Sequence, residues 1–287
     1  MSTVGVVREI WRYPVKSMGG ERVARCTLGP LGIPGDRGWA LRDEQANEIR
    51  GAKKLPALLL CGARYRTEPT AGPPPPAEVT LPDGTTFPTD DAAASERLSV
   101  LLGRPVTLWP LQPPENRAHY RRGIPDHPDM IEELRHLMGR EPDEPLPDFS
   151  VFPPELYEFT SPLGTYFDAF PIHLVTTASL RALAGNGPAE RFDRRRFRPN
   201  FLVETTDALT GLVEADWSGR TLRVGRAALR ATAPTVRCGM PTQPQPGLSH
   251  DPTILRTIVR DAGQNVGLYL TVTEPGAVTE GDTVELA

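Results

Sequence analysis

Proline is the residue that most narrows what this chain can become. Of its 287 residues, 32 are proline. A ring that fixes φ and removes a backbone donor cuts helices short, yet is tolerated at strand starts, edges and bulges. The prediction is many short strands joined by irregular connections. Alternating or β-branched runs between the prolines supply them, over 4–11, 21–28, 38–42, 58–66, 77–87 (a hairpin turning at Asp83-Gly84) and 106–108. The second half continues with strands over 170–176, 201–204, 221–224, 227–232, 266–272 and 284–286, of which 221–224 and 227–232 form a hairpin turning at Gly225-Arg226. The run after that hairpin is expected to break at Pro234.

Helices are few. One is capped at Asp90 or Asp91 and stopped by Gly103. A second starts near Pro128, keeps Ile131, Leu134 and Leu137 on one apolar face and stops at Gly139. A third is capped at Thr176 or Thr177 and ends at Gly185, and a fourth is opened by Asp251-Pro252 and ends at Gly263. The fold class is therefore mainly β with a few helices (α+β), a barrel or barrel pair and not a doubly wound sheet. A proline-rich connection over 111–159 divides the chain into 1–115 and 116–287, and is either an insertion or a lid.

Composition removes several function classes. A net charge of -4 gives no nucleic-acid footprint, and no apolar run approaches a membrane span or a signal peptide's apolar region. The three cysteines, Cys26, Cys61 and Cys238, are too few and too scattered for a disulfide framework or a four-cysteine metal site, and fit a reducing cytoplasm. There is no Gly-x-Gly-x-x-Gly, P-loop or Gly-x-Ser-x-Gly signature. The five histidines show no ligand spacing, and those of the connection are expected to be solvated.

What remains is Cys238, with Arg237 beside it to favour a thiolate, and basic groups at strand ends. Lys16-Ser17 follows the first strand, Arg37 follows Asp36, and the run Arg194 to Arg198 leads into Pro199-Asn200. For a run of arginines an exposed edge is the default. With Phe197 inward, Arg196 and Arg198 would share the opposite face and suit bidentate recognition of a phosphate or ring edge. A Cys238–His250 nucleophile pair is the other chemistry open to the thiol.

These residues also form a pattern. Tyr13-Pro-Val-Lys-Ser17, Gly35-Asp-Arg-Gly-Trp39, Thr176-Thr-Ala-Ser-Leu180, Arg196-Phe-Arg-Pro-Asn200 and Arg237-Cys238 occur in this order across nearly the whole chain. In this the chain resembles MOSC-domain proteins, in the branch with an N-terminal MOSC β-barrel domain that includes amidoxime reductases and bacterial enzymes acting on N-hydroxylated bases. The resemblance implies an N-terminal MOSC-type barrel domain packed on a MOSC barrel domain. It implies a molybdenum–molybdopterin cofactor with Cys238 as metal ligand and catalytic centre, and with Lys16, Ser17, Arg37, Asp168, Arg198, Asn200 and Arg237 holding the pterin and its phosphate. Where reductases of this kind carry small hydroxyl residues after the aspartate, this chain has Ala169-Phe170.

The activity so implied is reduction of N–O bonds, or oxygen-atom transfer, in a small-molecule substrate. No cysteine follows Cys238, so electrons are expected from a separate ferredoxin-, flavoprotein- or cytochrome-type protein. Two other roles compete: a non-redox carrier of cofactor or of sulfur as a Cys238 persulfide, and a structural role with an empty site.

Overall fold

The computed structural model describes residues 1–185 and 187–287. In chain order the first half gives β1 (Ser2–Arg12), β2 (Glu21–Val23), β3 (Arg25–Leu28), β4 (Trp39–Asp43), β5 (Glu48–Arg50), β6 (Gly62–Tyr65), β7 (Ala77–Thr80), β8 (Thr86–Pro88), α1 (Ala94–Leu102) and β9 (Val106–Pro110). The connection contributes α2 (Arg117–Tyr120) and α3 (Met130–Met138). The second half gives β10 (Ile172–Thr176), α4 (Thr177–Ala184), β11 (Phe201–Thr205), β12 (Thr221–Val224), β13 (Ala227–Val236), α5 (Thr253–Asp261), β14 (Asn265–Glu274), β15 (Gly276–Thr279) and β16 (Thr283–Leu286).

Seven strands close into a barrel in the order β1-β11-β10-β14-β13-β12-β16 and back to β1. Closure pairs every strand on both sides, which removes open edges. All contacts in it are antiparallel except β10 with β11, and that parallel pair is joined by the crossover helix α4, as parallel pairing requires. The barrel draws its strands from both ends of the chain, since β1 lies between β11 and β16.

Its interior is Val4, Val7, Ile10, Leu174, Phe201, Val203, Leu229 and Leu268 with their neighbours. In β1 the inward residues are three apart, not two. Bulges at Thr3/Gly5 and at Val7/Glu9 shift the register and restore the inward face after each.

The first half forms two three-stranded sheets, β5-β4-β9 and β6-β7-β8, around a core of Val15, Met18, Trp39, Leu41, Leu58 and Leu98. It joins the barrel through β2, which pairs with β1, and through the β3–β15 ribbon.

Several expectations are corrected. Residues 58–66 are not one strand: Pro56 opens a 3-10 turn, Pro56–Leu60, that buries Leu58 and Leu59 before β6 begins. The strand ending in the cysteine loop does not break at Pro234. It runs to Val236, because register shifts on either side of Pro234 absorb the missing donor. In α3, capped by Asp129 Oδ1 accepting from the N–H groups of Ile131 and Glu132, the expected apolar face is not the buried one. Ile131 is 51% exposed, while Glu133 points inward to Lys54 Nζ at 2.6 Å. His119 is buried rather than solvated, with Nε2 2.7 Å from the Tyr166 hydroxyl. Arg196 and Arg198 are buried too, on a 3-10 turn and the residues after it rather than on an alternating strand.

Candidate functional site

The site residues gather where the barrel meets the first half. Asn200 begins the assembly. Its backbone N–H donates to His173 O and its carbonyl accepts from Trp11 N–H, so it ties β10 to β1. Its side chain repeats the stitch, donating to Trp11 O and Asp36 Oδ2 and accepting from His173 N–H and from Arg37. With both donors and its acceptor engaged, Asn200 acts by fixing Arg37 and Asp36.

Tyr13 is the second support. Its hydroxyl donates to Pro199 O at 3.0 Å, and the guanidinium groups of Arg37 and Arg198 lie 4.8 and 4.3 Å from its ring centre. Such contacts hold a cation where water is scarce. Burial, then Arg198 and Arg37, set the state of this phenol, which burial keeps protonated far above neutrality.

Lys16 sits on the loop after β1 and donates to Tyr166 O and to Asp168 Oδ1, both at 2.7 Å. Burial lowers its pKa, and Asp168 opposes that shift. Asp168 shows the reciprocal effect: burial works against its charge, but Lys16, Lys53 and Arg37 prevail and hold the carboxyl well below the usual range. Ser17 Oγ accepts from Ala52 N–H at 2.8 Å.

Three of these residues, Ser17, Arg37 and Arg198, have φ of 70, 49 and 55°. A left-handed backbone costs a non-glycine residue about 1 kcal/mol or more and is kept where surroundings enforce it, characteristically at functional sites.

Cys238 is 8% exposed on the loop after β13. That loop is clamped from several directions. Arg140, from the connection, donates to Arg237 O at 2.9 Å, to Met138 O and to Gln264 Oε1. Arg196 donates to the carbonyls of Pro241, Gln243 and Ser249. Gly139, at φ +63°, packs so closely that an added Cβ would lie 3.1 Å from Gly239 Cα and 2.8 Å from Leu255 Cδ2. The connection is thus part of the cysteine loop's mount. A cavity of about 530 Å³ opens beside it, lined among others by Lys53, Gly139, Gly239, Met240 and Arg256.

The predicted residues therefore form two groups, Lys16–Asp168 and Arg37–Asn200, with Arg198 beside Arg37 on the Tyr13 ring and Arg237 and Cys238 on the loop after β13. Sequence reasoning missed Tyr13 and Asp36 as supports, although both stand inside the quoted motifs. It also missed Lys53, Arg140, His173 and Tyr269, which no spacing marks. Arg140 reaches the cysteine loop through Arg237 O, and Lys53 lies 3.8 Å from Asp168.

An anionic ligand fits this donor set. Among the described residues, the buried nitrogens with no hydrogen-bond partner include Arg198 Nη2, Arg237 Nε and His173 Nε2. Lys16, Lys53, Arg37, Arg198 and Arg237 carry more positive charge than Asp36 and Asp168 offset. Buried donors left open cost about 1–3 kcal/mol each, so the arrangement suits a bound acceptor. Burial pulls Arg198 down to about 10 and lowers Arg237, the direction an uncompensated buried cation takes.

Comparison with known proteins identifies the family. The MOSC domain profile matches residues 164–285, and the profile of the MOSC N-terminal beta barrel domain matches residues 4–92. Among solved structures, YuaD from Bacillus subtilis is similar at 14% identity and a TM-score of 0.44, over 99% of this chain and 95% of that one. YiiM from Geobacillus stearothermophilus and from Escherichia coli are similar at 18% and 20% identity, each with a TM-score of 0.31 over 41% of this chain and 54% of theirs. No curated protein matches. No helix among the described residues is long and apolar enough to cross a membrane. MOSC domains are associated with molybdenum-cofactor-binding proteins, and this chain is a MOSC-domain protein with a MOSC N-terminal β-barrel domain.

Proposed function

We propose that the protein is a molybdenum-cofactor-dependent oxidoreductase that reduces N-hydroxylated or related N–O compounds, or transfers an oxygen atom, in small substrates. The observation that carries this reading is the pair of buried, left-open arginine donors, Arg198 Nη2 and Arg237 Nε, the second on the residue next to Cys238 and tied to the first through Phe197 O.

A soft thiolate suits a molybdenum centre, so Cys238 is assigned as the metal ligand. Lys16, Ser17, Arg37, Arg198 and Arg237 are assigned to the pterin and its phosphate, whose negative charge would occupy the open donors. Asn200 holds Arg37 in place, and Asp168 holds Lys16. When bound, the cofactor supplies the two-electron chemistry; reduction of an N–OH group then consumes two electrons and two protons and releases an amine and water. The chain's own part is to bind the cofactor, orient the substrate and limit water.

Electrons are proposed to come from a separate ferredoxin-, flavoprotein- or cytochrome-type protein. The free state of all three cysteines supports a reducing, cytoplasmic setting.

The test is molybdenum content by mass spectrometry of protein made in cofactor-competent cells, with reductase activity toward an amidoxime. The expected result is near-stoichiometric metal that is lost in Cys238→Ser, whose melting temperature matches that of metal-free wild type. Metal-free protein, or a Cys238→Ser variant that keeps metal and activity, overturns the reading. A persulfide on Cys238 of metal-free protein would instead favour the sulfur-carrier role.

A further inference from the structure

The partners of the arginines single out a place far from the cysteine loop. Nearly every arginine among the described residues is hydrogen-bonded, ion-paired or stacked on a ring, as Arg22 is with Glu280, Arg220 with Ala287 O and Arg97 over Phe87. Arg25, Arg226 and Arg230 have no such side-chain partner among those residues. Arg25 and Arg226 line one cavity of about 740 Å³, and Arg223 joins them there. Arg223 lies 3.4 Å from Glu274, with both side chains well exposed, and a pair of that kind holds it only weakly.

The cavity lies where the outer face of the barrel meets the β3–β15 ribbon. Across the sheet, Thr3 of β1 is paired with Glu285 of β16, which is paired in turn with Arg223 of β12. On the ribbon, Arg25 is paired with Thr279. Arg226 stands in the turn between β12 and β13, and its backbone N–H donates to Ala277 O at 2.9 Å, so the turn is tied to the ribbon. The contact is close. Gly225 has φ +56°, and a Cβ added there would lie 2.8 Å from Ala277 O. Three segments distant in sequence thus hold their cations on one fixed mount.

Two acids line the cavity against these three arginines. Asp282 is engaged in its own loop, where Oδ2 accepts from Thr279 N–H at 2.8 Å. That leaves Glu285. The hydroxyls of Thr3 and Thr279 add uncharged donors. Forked cations with hydroxyls beside them match the several oxygens of a phosphate group. No large apolar residue lines the cavity, which speaks against a membrane or a protein partner. The basic spot also runs against the chain's net charge of -4. It is remote from the candidate site: Thr3 stands near the start of β1 and Tyr13 just past its end, about 30 Å away at roughly 3.3 Å per residue.

We propose that this cavity is a second binding site, for a small soluble molecule that carries a phosphate group. Arg25 donates to the phosphate oxygens from the ribbon and Arg226 from the turn, Arg223 adds a third cation, and the hydroxyls of Thr3 and Thr279 donate at its edge. The site is independent of the cofactor and of the proposed reaction.

The experiment titrates inorganic pyrophosphate into the metal-free full chain by calorimetry at low ionic strength. It uses wild type and Arg198→Met, which removes an open donor of the candidate cofactor site. Saturable binding is expected in both. Arg25→Gln combined with Arg226→Gln should weaken it by about tenfold or more in either background. Arg230→Gln, which removes the third unpartnered arginine from outside the cavity, should change it by less than about twofold. All three arginines are exposed, so these variants should melt as wild type does. Absence of saturable binding, or a loss in Arg230→Gln comparable to that in the double variant, overturns the proposal. So does a loss in Arg198→Met alone, which would place the anion in the cofactor site. Binding to phosphatidylglycerol vesicles without binding to pyrophosphate overturns it as well, and would make the patch a membrane contact.

Discussion

The barrel and the seam beside it are built on opposite terms. Inside the barrel, apolar side chains from seven strands pack against one another and every strand is paired on both sides. In the seam, arginines are buried with donors left open and three non-glycine residues hold left-handed backbone. The first arrangement is what a stable fold requires, and the second is destabilising by itself. Their adjacency is the lesson: a closed barrel end can hold a strained, cation-rich rim that a loop in open solution would relax.

The largest expected effect tests the barrel side. Phe201 is fully buried on β11, and Phe201→Ala should cost about 3–5 kcal/mol. For a chain of this size that lowers the melting temperature of metal-free protein by roughly 6–20 °C, read by calorimetry. A loss under about 1 kcal/mol would mean that the barrel does not carry the stability assigned to it.

The next effect belongs to the connection. Burial, with Arg42 adding to it, holds His119 down to about 4 against Glu44, so the imidazole is neutral in the fold. The unfolded chain, with a pKa near 6.5, binds more protons between these values, so stability rises with pH across that window. The stabilisation is complete above about pH 6.5 and lost as pH falls toward 4, by at most about 3 kcal/mol. Urea midpoints measured from pH 7 to 4 should show this slope, and His119→Gln should flatten it. An unchanged slope would place His119 in water after all.

Arg198→Met sharpens the contrast itself. Removing a buried cation whose Nη2 has no partner is expected to leave metal-free protein as stable as wild type, or more stable by about 1 kcal/mol, while cofactor retention falls. If that variant melts as low as Phe201→Ala, the seam is structural and the distinction between the two regions collapses.

These differences also set what could be read in advance. Strands such as β12 and β13 declare themselves because Leu222, Val224, Leu229 and Ala231 alternate with polar neighbours. Alternation names a face but not a partner, so the closure of β1 onto β11 and β16 could not be derived from it. The seam was legible chiefly through the order of motifs shared with MOSC-domain proteins, since nothing local distinguishes a buried arginine from a solvated one. Arg196 and Arg198 are buried because carbonyls distant in sequence, from Pro241 to Ser249 and at Met18, come to meet them. Lys53 and Arg140 had no such pattern, and only packing reveals them.

The connection's helix gives the smallest effect and the clearest case of pattern misleading. Ile131, Leu134 and Leu137 share a face of α3, yet docking is decided by the ion pair of Glu133 with Lys54, which is held in turn by Asp126 at 3.0 Å. A carboxylate that meets a lysine from the first half brings its own face down, and Ile131 is left half in water. Ile131→Ser should therefore change stability by no more than about 0.5 kcal/mol, whereas a true core position would lose several times that. Chemical denaturation of the two variants Ile131→Ser and Glu133→Ala decides it. Should the isoleucine prove the more sensitive, α3 is seated by its apolar stripe, and the polar seam ends short of the connection.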